Sequence, residues 1–520
     1  MTYRGVVVAR NGAVATSQPL ATAVGLHVLQ EGGNFVDCAL AISATLAVIE
    51  PYNSHLGGDA FIILYDANHR QVHALNASGP APLAATPERF HEGIPLRGIQ
   101  SASVPGLVSA WALLHERYAT RELSDLLQPA IRYAQQGFPA GYRYTQVFRA
   151  HADLLRSFPI TWRELVPDGE LPYPGKMFTQ PQLGWTLSRI ASAGPMDFYR
   201  GAIAERIVRH CQHHGGLFTE ADLAQPPAAW LQPLHVPYRD YSLFAQPPVS
   251  QGHILAQMMN ILEGYDLRSM GALSADVIHL QVEAKKLAFA DRYAYLGDPR
   301  FVNVPMDKLL SKSYAERRRQ QIDLHNAASS VTAGALEHDT TYFCVVDRYG
   351  NAISFIQSIF HSFGCAEVAE GTGILFNNRM TGFSLHPNSP NFLQPGKRTA
   401  HTLNAWLVTR DGELAFVGGT PGGDVQVQSN TQILCNLIDF GMNPQEAVEA
   451  PRWQHDAEGL KIEQRVPMAI LQALERKGHR VLLLPDWGQS GAVQVIAVHP
   501  ESKALLAGSD PRCDGHAAGW

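Results

Sequence analysis

One junction constrains this chain more than any other feature. A run of small and polar residues from His325 to Glu337 shows neither helical nor strand periodicity, then meets His338-Asp339-Thr340-Thr341-Tyr342-Phe343-Cys344-Val345-Val346-Asp347. The first part buries too little apolar surface to order itself and is expected to be a mobile loop. The second is aromatic and β-branched. With the turn Arg348-Tyr349-Gly350-Asn351 and the run Ala352-Ile353-Ser354-Phe355-Ile356 it predicts strand, tight turn, strand. A loose loop entering a core hairpin at Thr340 suits a chain that cuts itself between Asp339 and Thr340. Local sequence leaves a plainer alternative, in which Thr340 and Thr341 are β-formers opening a strand.

The chemistry of such a cut is specific. A threonine hydroxyl is a poor nucleophile until a base removes its proton. An N-terminal α-amine, with an ordinary pKa of about 7.7–8.0, can be that base. Before the cut, the hydroxyl can attack the Asp339 carbonyl and form an ester by acyl shift, which water then opens.

Length and composition place limits on the rest. At 520 residues the chain can bury a large core, and 46% hydrophobic with 17% charged residues describes a compact soluble protein. A net charge of −6 and a pI near 6.4 give no reason to expect nucleic acid or an anionic membrane as partner. The apolar patch near Met1 is too short for a signal peptide, so a cytoplasmic location is expected. The six cysteines form no metal-ligand spacing and read as small core residues without disulfides.

Along the chain, Gly12 to Ser17 reads as a strand. Pro19 opens a helix that Gly32-Gly33 closes, and Asn34 can cap an apolar helix from Val36 to Ile49. That second helix, with Asp37 inside it, suits a core position rather than a membrane span. Residues 60–65 and 72–76 predict a hairpin. From Val104 to about Leu324 the periodicity is mostly helical, interrupted by proline-rich pieces. Strands return between Thr340 and Val427 and again at Ala492 to Val498. Strands at both ends with helices between them imply one intertwined α+β unit.

Further motifs bear on chemistry. Pro421-Gly422-Gly423-Asp424 follows the strand-like Leu414 to Gly419 and precedes a helix-like run from Gln426 to Ile438. Backbone amides of such a turn can stabilise an oxyanion, although an ordinary strand-to-helix turn reads the same way. His210-Cys211-Gln212-His213-His214 has helical metal-ligand spacing, yet it precedes the helix stop Gly215-Gly216, where histidines favour the last turn. No metal site is assigned there. Pro395-Gly396-Lys397-Arg398-Thr399 lacks the phosphate-loop frame, and no GxSxG appears.

Taken together, Asp339-Thr340-Thr341 to Asp347, Gly350-Asn351-Ala352, Gly371-Thr372-Gly373-Ile374-Leu375 and Asn377-Asn378 resemble the small-subunit start of the γ-glutamyltransferase family, self-cleaving N-terminal-nucleophile hydrolases. Glu31 to Asp37, Leu56-Gly57-Gly58-Asp59, Pro421-Gly422-Gly423 and Ser509-Asp510-Pro511-Arg512 extend the likeness over nearly the whole chain. The resemblance implies an αββα sandwich. It also implies a large chain 1–339 and a small chain 340–520 intertwined in one unit, forming a heterodimer or a pair of heterodimers. Thr340 would be the nucleophile, Ser358 its supporting hydroxyl, and Gly422 and Gly423 the oxyanion hole. No cofactor is implied.

The departures from the family pattern bear on the substrate. Ser78 stands where the family has the arginine that clamps the glutamyl carboxylate, and Thr381-Gly382 where acidic residues receive the amine. Phe360 replaces an asparagine, and His401-Thr402 a serine pair. A zwitterionic glutamyl group would meet unpaired partners here. The pattern resembles the branch that includes oxamate amidohydrolase. Arg379 is the candidate for holding a substrate carboxylate, with His361, His401 and Thr402 beside it, unless it merely pairs with a surface acid. The expected activity is hydrolysis of a small carboxylate-bearing amide. The alternatives are a glutathione-acting γ-glutamyltransferase or side-chain acylase, and an uncut binding protein.

Overall fold

The structure is a computed structural model that describes residues 2–328 and 340–520. Two seven-stranded antiparallel sheets lie face to face. The first has the order His516–Gly519, Ala13–Thr16, Thr341–Val346, Ala352–Ser358, Asp59–Asp66, Gln71–Ala77, Ala229–Leu231. The second runs Val7–Ala9, Leu505–Ser509, Gln494–Val498, Glu413–Gly419, Trp406–Arg410, Tyr241–Ala245, Leu234–Tyr238. In both sheets, strands from before residue 340 sit among strands from after it.

Alternation along each strand builds three apolar layers. Tyr342, Cys344, Ile356, Phe61, Leu407, Val417 and Ile496 fill the space between the sheets. Phe343, Val345 and Phe355 face outward, onto a layer that includes the helices Pro19–Gln30 and Phe35–Ile49. A third cluster joins the outer face of the second sheet to the helices Gly252–Leu262, Ala275–Tyr295 and Val425–Ile438. Helices therefore cover both outer faces, the expected αββα sandwich.

The elements that set the site are locally well specified. Every residue of Phe35–Ile49 is buried, and Asn34 and Asp37 close a capping box at its start. The expected hairpin forms as Thr341–Val346 and Ala352–Ser358, with Phe343 stacked on Phe355 across the ladder at 4.7 Å. Such a pair contributes about 0.5–1.5 kcal/mol beyond burial. Two strands, Leu234–Tyr238 and Tyr241–Ala245, appear inside the stretch read as mostly helical. All six cysteines are unpaired, and five are buried, in line with their reading as small core residues. The expected mobile loop falls largely on residues 329–339, which lie outside the described residues, as does Asp339 of the expected cut. The part that is described, 325–328, is held: Ala327 N donates to Lys477 O at 2.6 Å and Ala328 N to Glu283 at 3.2 Å.

Candidate active site

Thr340 stands one residue before the strand Thr341–Val346. Thr341 pairs with Gln357, so one step further Thr340 lies opposite Ser358. Alternation turns Thr340 to the side of Tyr342, between the sheets. It is 3% exposed, and its hydroxyl donates to Ser358 Oγ at 3.1 Å. Ser358 Oγ also accepts from Phe360 N at 2.8 Å. The Thr340 hydroxyl is thus held in one direction by a second hydroxyl, itself fixed by backbone.

From the facing sheet, the strand Glu413–Gly419 delivers the loop Thr420 to Asp424. Gly422 and Gly423 both adopt left-handed backbone, with φ of +118° and +54°, which side chains other than glycine rarely take. Their carbonyls accept from Val425 and Gln426 and start the helix Val425–Ile438. Among the described residues neither amide N–H has an acceptor. Gly422 and Thr340 line one cavity of about 270 Å³ together with Ser17, Glu50, Asn53 and Arg143. A free Gly422 amide in the cavity of a buried hydroxyl, with a second free amide on the next residue, offers the parts that acyl transfer needs for an oxyanion and its nucleophile.

A second cavity of about 270 Å³ is lined by Phe360, Thr381, Gly382, Thr402, Asp424 and Arg292 among others. Gln251 ties its wall to the glycine loop, donating to Thr402 O at 2.7 Å and Gly423 O at 3.0 Å. Arg292 pairs with Asp424 at 2.5 Å. Phe360 has φ +82°, uncommon for a bulky residue. Its ring covers the Arg379 guanidinium at 4.1 Å.

Arg379 and His401 meet on one buried acid that sequence reading missed. Asp59 takes Arg379 Nε at 3.0 Å and Nη2 at 3.1 Å, and His401 Nε2 at 2.8 Å. Burial alone would raise the Asp59 carboxyl, but the Arg379 charge and His401 overcome it and hold it below the usual carboxylate range. Burial, reinforced by Arg379, pushes His401 down to about 4, so its ring is neutral and donates. The bidentate grip expected of Arg379 is therefore directed at Asp59, a buried acid. Its Nη1 and the Thr402 hydroxyl have no partner among the described residues. His361 lies apart, its Nδ1 at 2.8 Å from Asn378 Nδ2, and Ser78 Oγ donates to Asn76 at 2.7 Å. Neither lines either cavity. Asp59 could have been suspected from its place at the start of a strand, directly after Gly57-Gly58.

Two groups among the described residues could hold a metal, His210–His214–Glu367 and His279–Glu283–His479. His210 Nδ1 accepts from Glu370 N at 3.3 Å, so its proton sits on Nε2 and points at Glu367, 3.0 Å away. In the other group Lys286 occupies Glu283 Oε1 at 2.7 Å, and His279 Nδ1 meets His479 Nε2 at 2.8 Å. Protein partners already satisfy both, and neither group opens on Thr340.

The model of the family described as gamma-glutamyltranspeptidase matches residues 21–520. The chain belongs to that family. It is 39% identical to the glutathione hydrolase-like YwrD proenzyme of Bacillus subtilis, over 97% of this chain and 98% of that one. It is 35% identical to the oxamate amidohydrolase proenzyme of Klebsiella pneumoniae, over 99% of each. Among solved structures, cephalosporin acylase from Bacillus halodurans superposes with a TM-score of 0.95 at 37% identity, over 100% of this chain and 98% of that one. No helix among the described residues is long and apolar enough to cross a membrane.

Proposed function

We propose that this chain is a proenzyme that cuts itself between Asp339 and Thr340 and then works as an N-terminal-threonine amidohydrolase. The observation that carries this reading is the buried Thr340 hydroxyl, bonded to Ser358, on a residue that lines one cavity with Gly422. In turnover, Thr340 Oγ1 attacks an amide carbonyl. The α-amine of Thr340 takes the hydroxyl proton and passes it to the leaving amine. The Gly422 and Gly423 N–H groups hold the oxyanion, and water resolves the ester.

We read the substrate as a small amide bearing a carboxylate, oxamate-like. Arg379 Nη1 and the Thr402 hydroxyl, both buried and without a partner among the described residues, support an anion contact of one point rather than two. His401 serves by holding Asp59, while His361 and Ser78 stay with Asn378 and Asn76. Ser78 offers no charge for a glutamyl carboxylate. An acylase is the second reading, favoured by the Phe360 ring in the wall of the second cavity. The six unpaired cysteines support a reducing, cytoplasmic setting.

Intact masses of wild type and Thr340→Ala test the reading. Two chains, 1–339 and 340–520, are expected from the wild type and one from the variant. A wild type that stays whole overturns it. Ammonia release from oxamate, against 4-nitroaniline release from a γ-glutamyl anilide, then separates the amidohydrolase from the transferase. Sedimentation distinguishes one heterodimer from a pair.

A further inference from the structure

Glu50 lines the Thr340 cavity and has no part in the chemistry above. It follows the last turn of the helix Phe35–Ile49, the end at which a negative charge is least favoured. Its side chain is buried, and among the described residues it forms no ion pair. Its partners are neutral: Ser17 Oγ donates at 2.9 Å, and the Thr341 hydroxyl and the Asn53 amide also reach it. Burial raises its carboxyl in spite of these hydrogen bonds. A buried carboxyl at a helix C-terminus, bonded only to neutral groups, keeps a net cost of burial, and the charge of Arg143 across the cavity offsets it only in part. Ser17 Oγ also lies 2.5 Å from Thr341 Oγ1, so one hydroxyl separates Glu50 from the residue after Thr340.

We propose that Glu50 is the counter-ion of the α-ammonium that processing creates on Thr340, a positioning residue that orients the amine and sets its basicity. The inference rests on the reading of Thr340 given above. Before the cut, the Thr340 nitrogen is an uncharged amide. Hydrolysis of the Asp339–Thr340 bond consumes one water and leaves a carboxylate on Asp339 and an ammonium on Thr340. The new cation forms on a residue lining a cavity in which, among the described residues, Glu50 is the one acid. Arg143 and Arg512 also line this cavity, with Cys513 beside them and Asp514 coupled to Arg143. Without Glu50 the amine would face mainly cations, and its pKa would fall.

The test compares wild type, Glu50→Gln and Glu50→Asp by intact mass, and by acetic anhydride labelling of the small chain's N-terminal amine across pH. All three should be cut. The labelling midpoint should drop by about one pH unit in Glu50→Gln, and by a smaller step in Glu50→Asp. A cut Glu50→Gln protein with the wild-type midpoint overturns the proposal. So does a folded but uncut one, since Glu50 would then act before the amine exists. If Glu50→Gln does not fold, an unchanged midpoint in Glu50→Asp overturns it instead. A wild type that stays whole fails the Thr340 reading itself, and its mass alone tells that failure apart.

Discussion

Asp59 and Glu50 are both buried carboxyls, and their surroundings drive them in opposite directions. Asp59 opens a strand and receives a guanidinium and an imidazole, so it stays ionised despite its burial. Glu50 closes a helix and receives only neutral donors, so burial prevails and its carboxyl rises. Burial disfavours charge at both places equally in kind; a guanidinium bonded directly to Asp59 reverses the sign, whereas Arg143 acts on Glu50 without an ion pair and does not. One carboxyl is a finished ion pair that fixes a wall, and the other is left open to a charge not yet made.

The comparison can be broken most sharply at Asp59. Asp59→Asn leaves Arg379 buried without a counter-charge and should destabilise the protein by about 3–5 kcal/mol, read from the denaturant midpoint. Adding Arg379→Met should recover part of that loss, since the unpaired charge goes with it. A full recovery would mean the wall needs neither residue. The second test is acid. His401 has a folded pKa of about 4 against 6.5 for the free side chain, so the unfolded chain binds the extra proton first. Its contribution is whole above pH 6.5 and is lost as pH falls toward 4, at about 1.4 kcal/mol per unit. A profile of stability against pH should be flatter over that range in His401→Gln. Glu50→Gln should show the smallest effect, under about 1 kcal/mol in an uncut Thr340→Ala background, because the glutamine carbonyl can still accept from Ser17. The same substitution should cost more in the cut protein, and the difference measures the coupling between Glu50 and the new amine.

Much of the sandwich was legible because its inner parts carry strong local patterns. The apolar helix after Asn34 and the hairpin around Gly350 announce themselves by capping residue, periodicity and turn chemistry. The strands Leu234–Tyr238 and Tyr241–Ala245 did not. They are short and lie at one edge of a sheet, where Pro237 can sit without breaking a central ladder. Leu505–Ser509 and His516–Gly519 end in small residues that pack under neighbours and give little alternation. In the candidate site, Thr340 and the Gly422–Gly423 turn stood out in the sequence because each is marked by its immediate neighbours. Asp59 and Glu50 could not be ranked that way, since their meaning comes from Arg379, His401 and Thr341, about 300 residues further along the chain.

The mixing of early and late strands in both sheets has a consequence for the life of the molecule. As one chain, it finds its pairings within itself, at a rate independent of how dilute it is. Once the bond before Thr340 is opened, the same pairings join two separate polymers, and neither keeps a complete sheet on its own. Unfolding then becomes a one-way loss in dilute solution, because reassembly must await a collision between partners. The finished enzyme would persist through slow escape from its fold rather than through an ability to find that fold again.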